Sequence, residues 1–375
     1  MKYKLLVLDV DGTLLNDERE ISKRTLAALL KVQQMGVRIV LASGRPTYGL
    51  MPLAKTLELG NYGGFVLSYN GCQIIKAQNG EILFERRINP EMLPYLEKKA
   101  RKNGFAIFTY HDDTLITDSP DNEYIKNEAL LNNLKIIRED EFSTAIDFAP
   151  CKCMLVSDKE KALIGLEQHW EKRLAGTLDA FRSEPYFLEV VPCGVNKANT
   201  LGALLEHLGV TREEVIAVGD GVCDVTMLQL AGMGVAMGHS QDSVKVCADY
   251  VTASNEEDGV ALAVEKLIWA EVRAANGHPK PYGVTRFEIG NEIGYYRQTY
   301  WMDGRGNTDW MNAYIDGGRM TFGQNTRTVK EEDWRDQATN SDGTANQVRY
   351  VRYTPAVENS VAVYVGGTQC QIVDS

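Results

Sequence analysis

The sequence predicts an α/β protein with a doubly wound parallel core sheet, an inserted α/β cap domain and a C-terminal β-rich extension. Short apolar runs alternate with amphipathic helical segments in two parts of the chain, and this order indicates βαβ units with parallel strands. Between these parts, helical segments alternate with short strands joined by polar turns. We therefore predict a core from residues 1–85 and 191–270, a cap over 86–190 and the extension over 271–375.

The first half of the core begins with an apolar run at residues 5–8 that ends in Asp-Gly, which is typical of a strand buried on both faces. SKRTLAALLKVQQMG follows as a helix, because Ser22 is a suitable N-cap and Gly36 a suitable stop. Two more strands are predicted, VRIVLASGR at 37–45 and GFVLSYNGCQII at 64–75. The chain then turns at two Asn-Gly pairs into EILFERRI, which indicates a hairpin.

The remaining elements follow in the same way. In the predicted cap, PEMLPYLEKKARKNG has a helical pattern, and FAIFTYH and CKCMLVS are strand-like. The core resumes with the helix GVNKANTLGALLEHLG, closed by Gly209, and the buried strand EVIAVGDGVCD. GVAMG and YVTAS are short strands, and DGVALAVEKLIWAEV is a last helix.

Charge and cysteine content restrict the possible functions. A net charge of −11 and a pI near 5.1 argue against nucleic acid or an anionic membrane as a partner. The seven cysteines include no CxxC pair, so we interpret them as reduced thiols of a cytoplasmic protein. Asp9 interrupts the first apolar run and no apolar stretch is long, so we expect neither a signal peptide nor a membrane span. The sequence indicates no oligomeric state.

Three predicted strand ends and one predicted helix start carry polar side chains. Asp9 and Asp11 are two residues apart in an extended segment, so their carboxylates point the same way. Ser43 and Asp220 end later strands, and Lys197 begins a helix. In an open parallel sheet ligands bind at the carboxyl ends of the strands, so we expect these groups to converge. Separately each residue has a structural explanation, since Asp-x-Asp-Gly is common in turns and a single lysine is usually solvated.

The convergence predicts phosphate chemistry at a metal site. Asp9, Asp220 and Asp224 offer oxygen ligands of the kind that Mg²⁺ prefers. Asp9 is nearest the strand end, so we assign it the attack on phosphorus, which gives an aspartyl phosphate. Asp11 would give a proton to the leaving oxygen and later take one from water. Lys197 would meet the remaining charge of the phosphate.

Several neighbouring residues are predicted to contact the phosphate or the substrate. Gly12 allows a tight turn with backbone N–H groups near the phosphate, and Thr13 supports that turn. For Arg45, Asn70 and Glu189 a structural hydrogen bond is the competing interpretation. The predicted set of phosphate and substrate contacts is Gly12, Thr13, Ser43, Gly44, Arg45, Asn70 and Lys197.

Four motifs resemble those of the haloacid dehalogenase superfamily: DVDGT, the serine of LASGR, the lysine of GVNKANTL and GDGVCDVTML. Within it, YNG at 69–71, the long insertion and GVAMGHSQDSVKVCADYVTASNEEDGVA resemble the Cof-type phosphatases, over about residues 1–270. The resemblance implies an Mg²⁺-dependent phosphatase with the roles given above. It adds the backbone carbonyl of Asp11 as a metal ligand and implies a small phosphate ester, especially a sugar phosphate, as substrate. A sugar phosphomutase on the same core is the alternative.

The chain departs from this pattern at Cys223, where the subfamily usually has asparagine. A thiol is a poor hydrogen-bonding partner and a soft ligand that suits Mg²⁺ badly. Asp224 is still present, so we expect the metal to bind, with lower affinity or slower turnover than is usual in the family.

The C-terminal extension suggests a function of another class. RFEIGNE, with Asn291 and Glu292, and NGHPKPYGV resemble a short part of arabinofuranosidases, which are glycoside hydrolases. Such an enzyme needs a second carboxylate on a complete barrel of about 250 residues, which residues 276–375 are too few to form. The alternative that remains is a carbohydrate-binding or carbohydrate-processing protein led by residues 271–375.

Overall fold

The computed structural model describes residues 2–269 and five short strands between positions 314 and 374. The chain divides into two units, residues 1–269 and residues 270–375. Within the described residues, no helix has the length and apolar character needed to cross a membrane.

The first unit is built from two sheets and the helices that cover them. Its strands are β1 (Leu5–Leu8), β2 (Arg38–Ala42), β3 (Phe65–Ser68), β4 (Gln73–Lys76), β5 (Ile82–Glu85), β6 (Ala106–His111), β7 (Thr114–Thr117), β8 (Lys135–Arg138), β9 (Cys153–Val156), β10 (Leu178–Glu184), β11 (Phe187–Pro192), β12 (Val215–Gly219), β13 (Met233–Ala236) and β14 (Tyr250–Val251). Its helices are α1 (Lys23–Gln34), α2 (Thr47–Thr56), α3 (Leu93–Asn103), α4 (Glu123–Leu131), α5 (Phe142–Ala145), α6 (Glu160–Arg173), α7 (Lys197–Leu208), α8 (Val225–Leu230), α9 (Asp242–Lys245) and α10 (Gly259–Val264).

The core sheet has eight strands in the order β14-β13-β12-β1-β2-β3-β4-β5. The strands from β14 to β3 are parallel, and β4 and β5 are added antiparallel at one edge. The apolar run of β1 alternates between the two faces: Leu6 and Leu8 pack with α1 and α10, whereas Leu5 and Val7 pack with α7 and α8. Burial on both faces explains why this run has no polar position.

The second sheet has six strands in the order β10-β11-β9-β6-β7-β8. Its neighbours are antiparallel except for the parallel pair of β7 and β8. It begins within the segment that the sequence predicts to be inserted, 86–190, and ends at Pro192, two residues beyond that segment. Two separate apolar clusters cover its faces, one with Ile107 and Trp170 and the other with Phe108 and Val191. We refer to this sheet with its helices as the inserted sheet.

Local signals in the sequence match the element boundaries. The hydroxyl of Ser22 accepts a hydrogen bond from the Thr25 N–H at 3.0 Å and so caps α1. Gly209 ends α7 in the left-handed region, with a φ of 61°. The segment 64–75 forms the two strands β3 and β4 and reverses at the predicted Asn70-Gly71 turn, where Tyr69 and Asn70 have left-handed φ values of 53° and 56°. The predicted α/β fold with a mainly parallel core is confirmed for residues 2–269.

In the second unit the structure describes five strands: β15 (Tyr314–Asp316), β16 (Arg319–Thr321), β17 (Val348–Val351), β18 (Val361–Gly366) and β19 (Gln369–Asp374). The first two form an antiparallel pair, and the last three form an antiparallel sheet. The arabinofuranosidase-like segment with Asn291 and Glu292 lies outside the described residues.

Candidate active site

The polar residues that the sequence places at strand ends lie at one edge of the core sheet. β1 lies between β12 and β2, and Leu8 is in register with Val218 on one side and with Leu41 on the other. Asp9 therefore emerges beside the residues that follow β12 and β2, which include Asp220 and Ser43. This geometry is the one the sequence predicts from parallel strands.

Lys197 joins two of the carboxylates. Its ammonium nitrogen, at the first turn of α7, lies 2.5 Å from Oδ1 of Asp9 and 2.6 Å from Oδ1 of Asp224. The Lys197 side chain is only 2% exposed. A lysine buried this deeply needs carboxylate partners, so it is part of the site rather than a solvated surface residue.

Asp224 also organises the backbone after β12. Its Oδ2 accepts hydrogen bonds from the backbone N–H of Asp220 at 3.1 Å and of Gly221 at 2.9 Å. Together with Lys197, these donors occupy both oxygens of the fully buried Asp224. Asp224 thus fixes the turn on which Asp220 is presented.

Gly12 and Thr13 pack directly on Asp220. The Thr13 hydroxyl donates to Oδ1 of Asp220 at 2.7 Å. Gly12 has a φ of +78°, and a Cβ atom there would lie 2.6 Å from Oδ2 of Asp220. Glycine is therefore required both by the backbone conformation and by the close approach of the carboxylate.

The electrostatic balance of the cluster is negative. Burial raises the pKa of Asp9 well above its usual range, Asp224 raises it further, and Lys197 opposes the change. Burial also raises the pKa of Asp220, although the Thr13 hydrogen bond acts in the other direction. Burial alone would lower the pKa of Lys197, but Asp224 and Asp9 outweigh it and raise that pKa well above its usual range. Lys197 thus contacts two of three crowded carboxylates.

These carboxylates fit a divalent cation. Oxygens of Asp9, Asp220 and Asp224 lie within 4.8 Å of one another. Hard oxygen ligands in such a group suit Mg²⁺, whose charge would relieve their repulsion. Asp9 and Asp220 offer the freer lone pairs, because both oxygens of Asp224 already accept hydrogen bonds.

Asp11 lies at the exposed side of the site and is held by Arg45. The guanidinium donates from Nε to Oδ2 of Asp11 at 2.7 Å and from Nη2 to Oδ1 at 2.5 Å. The Arg45 side chain is 9% exposed and that of Asp11 is 52% exposed. A buried two-pronged donor fixes the direction of the Asp11 carboxylate while leaving it open to a ligand. Arg45, predicted to contact substrate, therefore also has an intramolecular partner.

The turn after β2 contains the other predicted phosphate contacts. The Ser43 hydroxyl accepts a hydrogen bond from the Arg45 N–H at 3.1 Å, and the Ser43 carbonyl accepts one from the Asn70 N–H at 3.0 Å. A Cβ on Gly44 would lie 3.1 Å from the amide oxygen of Asn70. The side chain of Asn70 donates to Glu189 Oε2 at 3.0 Å, so both residues have structural partners.

Lys152 is a residue of this region that the sequence did not single out. It lies in the C-K-C segment before β9, and its ammonium group donates to the Gly44 carbonyl at 2.9 Å. Its side chain is 3% exposed, although lysine is rarely buried without a partner. The sequence gives only a weak indication that this residue is buried, since it shows no more than a lysine between two cysteines at the start of an apolar strand.

Cys223 lies beside the three carboxylates that fit a divalent cation. Its sulphur is 3.8 Å from Oδ1 of Asp224, which is a weak interaction. Its two chain neighbours are Val222, which is exposed, and the buried Asp224. An asparagine here would offer an amide N–H to Asp224 in place of the thiol.

We predict that Cys223→Asn raises the affinity for Mg²⁺ about fivefold, because a hydrogen bond that holds Asp224 in its metal-binding direction would favour the bound form by about 1 kcal/mol. The measurement is the Mg²⁺ concentration that gives half-maximal phosphate release. Cys223→Ala serves as the control and should stay near the wild type. An unchanged Mg²⁺ requirement in the asparagine variant would show that residue 223 does not influence the metal site.

Comparison with known proteins shows the family to which the chain belongs. The model of the haloacid dehalogenase-like hydrolase family matches residues 6–264. The chain belongs to this family. The predicted superfamily and the prediction of an enzyme are thereby confirmed, and the matched range covers Asp9, Ser43, Lys197 and Asp220.

Individual relatives cover the same part of this haloacid dehalogenase-like hydrolase. The 5-amino-6-(5-phospho-D-ribitylamino)uracil phosphatase YcsE of Bacillus subtilis is 33% identical over 269 residues, which is 71% of this chain and 96% of that protein. The crystal structure of a haloacid dehalogenase-like hydrolase from Bacteroides thetaiotaomicron is 48% identical, with a TM-score of 0.68, and covers 71% of this chain and 100% of its own. The sugar phosphatase BT4131 is 26% identical with a TM-score of 0.59, and covers 70% of this chain and 98% of its own.

Proposed function

We propose that the protein is an Mg²⁺-dependent phosphatase that hydrolyses phosphate esters of small metabolites, sugar phosphates in particular, through an aspartyl phosphate on Asp9. The observation that supports this most directly is the buried cluster in which Lys197 contacts Asp9 and Asp224. Such a cluster places a nucleophilic carboxylate, a cation for phosphate and ligands for a metal in one small volume.

Each residue of the site has a separate role in the proposed reaction. When bound by Asp9 and Asp220, with Asp224 completing the set and the Asp11 carbonyl as a further ligand, Mg²⁺ would neutralise the carboxylates and polarise the phosphoryl oxygens. Asp9 attacks phosphorus, and the bond to the leaving oxygen breaks. Lys197 and the hydroxyl of Ser43 bind the remaining phosphoryl oxygens and stabilise their developing charge.

Asp11 acts as the general acid and then the general base at the exposed side of the site. It donates a proton to the departing alkoxide oxygen, and afterwards takes one from the water that attacks the aspartyl phosphate. This water attack releases inorganic phosphate and regenerates Asp9. The partial exposure of Asp11 supports the assignment, because the leaving group has to enter and depart there.

The substrate class is supported by two relatives. YcsE is named for a phosphorylated ribityl compound, and BT4131 is described as a sugar phosphatase. In both, the leaving group is a polyhydroxylated carbon chain or ring. We extend this class to the present chain, with the inserted sheet contributing to specificity.

The test is phosphate release by the full chain from a panel of sugar phosphates, with Mg²⁺ and after its removal by a chelator. We expect turnover that requires Mg²⁺ and returns when the metal is restored. Conversion of one sugar phosphate into another without release of inorganic phosphate would contradict hydrolysis and indicate a mutase.

A further inference from the structure

Two buried charged residues of the inserted sheet meet the loops of the core. Lys152 precedes β9 and Glu189 lies in β11, and both side chains are 5% exposed or less. The Lys152 ammonium nitrogen is 3.1 Å from Oε2 of Glu189. Buried charges are costly unless each is paired and hydrogen-bonded, so this pair is held in a specific place.

The partners of the pair belong to the core. Lys152 donates to the carbonyl of Gly44, which lies in the turn after β2, at 2.9 Å. Glu189 accepts from the side chain of Asn70, which follows β3, at 3.0 Å. These two hydrogen bonds therefore form only where the inserted sheet lies against the two core loops.

The turn that Lys152 holds leads directly to Asp11. Gly44 lies between Ser43 and Arg45, and the Arg45 carbonyl accepts a hydrogen bond from the Tyr69 N–H at 3.0 Å. The Arg45 guanidinium in turn makes the two hydrogen bonds to the Asp11 carboxylate. A continuous chain of contacts thus joins Lys152 and Glu189 to the carboxylate of Asp11, the proposed general acid and base.

We propose that Lys152 and Glu189 are positioning residues, which fix the turn at 43–45 and, through Arg45, the direction of the Asp11 carboxylate. The inference rests on the proposed function, in which Asp11 protonates the leaving oxygen. Docking of the inserted sheet against the core loops then brings that carboxylate into its working direction.

This role predicts a dependence on the leaving group. Departure of a sugar alkoxide needs a proton, whereas p-nitrophenolate is stable enough to leave without one. A misdirected Asp11 therefore slows phosphoryl transfer from a sugar phosphate more than transfer from p-nitrophenyl phosphate. The quantity to compare is kcat/KM, because it reports the steps up to the first irreversible one.

The main variant is the double substitution Lys152→Met with Glu189→Gln, in the full chain with Mg²⁺ present. Removing one partner alone would leave an unpaired buried charge, whereas removing both avoids that cost. We expect kcat/KM to fall about 100-fold on a sugar phosphate and by about threefold or less on p-nitrophenyl phosphate. A thermal melt establishes that the variant is folded.

A second variant disturbs the same docking at a different contact and changes no charged residue. Gly49 lies in α2, four residues after Arg45, and a Cβ there would overlap the amide oxygen of Asn132, which follows α4. Gly49→Ala should therefore disturb the docking of the inserted sheet and give the same selective loss. Gly165→Ala is the matched control, because Gly165 lies in α6 with open space around its Cβ position.

The positioning role would be overturned if the double variant and Gly49→Ala fold but lose activity equally on both substrates. It would also be overturned if both fold and lose no activity. A selective loss in these variants, absent in Gly165→Ala, supports it. Failure of the proposed function looks different, since the wild type would then release phosphate from neither substrate, and both proposals would fall.

Discussion

Replacing Asp9 with asparagine should lower the rate of phosphate release by at least about 10⁴-fold, the loss typical of removing a catalytic nucleophile. The amide has nearly the shape of the carboxylate and can still accept a hydrogen bond from Lys197. It cannot form the aspartyl phosphate, because the amide lacks the negative charge that makes the carboxylate a nucleophile. The measurement is inorganic phosphate release from the best substrate of the panel.

The variant should also fold normally. Burial and the charge of Asp224 oppose the ionised form of Asp9, so a neutral side chain at this position relieves repulsion in the metal-free protein. Asp121→Asn is a suitable control, since Asp121 is an exposed carboxylate of the inserted segment. Activity retained in Asp9→Asn would mean that another group attacks phosphorus and would remove the basis of the mechanism.

The second large effect is expected on stability, for Lys197→Met in the absence of Mg²⁺. This change leaves Asp9 and Asp224 buried without the ammonium group that they share. Breaking a buried pair in this way costs about 3–5 kcal/mol. For a unit of this size we expect a thermal midpoint lower by about 10 °C.

Added Mg²⁺ should restore more stability to this variant than it adds to the wild type, because the cation would then replace the positive charge that Asp9 and Asp224 have lost. The control is Lys135→Met, at an exposed lysine paired with Asp113, which should leave the midpoint unchanged. An unaltered midpoint in Lys197→Met without metal would show that the carboxylates do not depend on the lysine.

The convergence of the site could be predicted from the sequence because it follows from strand order alone. Asp9, Ser43 and Asp220 each come just after an apolar run, and parallel strands bring such positions to one edge. Lys197 was recognisable by its position at the start of a helix in the same region. These inferences need no knowledge of side-chain conformation.

The contacts of Asp11 could not be predicted in this way. Whether Arg45 reaches Asp11 or an incoming phosphate depends on its side-chain conformation, which local sequence does not determine. Lys152 is 108 residues from Gly44 along the chain, and their contact depends on how the inserted sheet docks. The same docking gives Glu189, considered from sequence as a substrate contact, its partners Asn70 and Lys152.

The strand order also constrains how the chain can fold during synthesis. The first strand pairs with β12, whose Val215 is opposite Leu5, so this side of the core sheet stays open until the ribosome has released that distant segment. All strands of the inserted sheet lie between Ala106 and Pro192 and emerge earlier. We therefore expect the inserted sheet to form before the core sheet is complete, and until then one edge of the first strand is exposed to other chains.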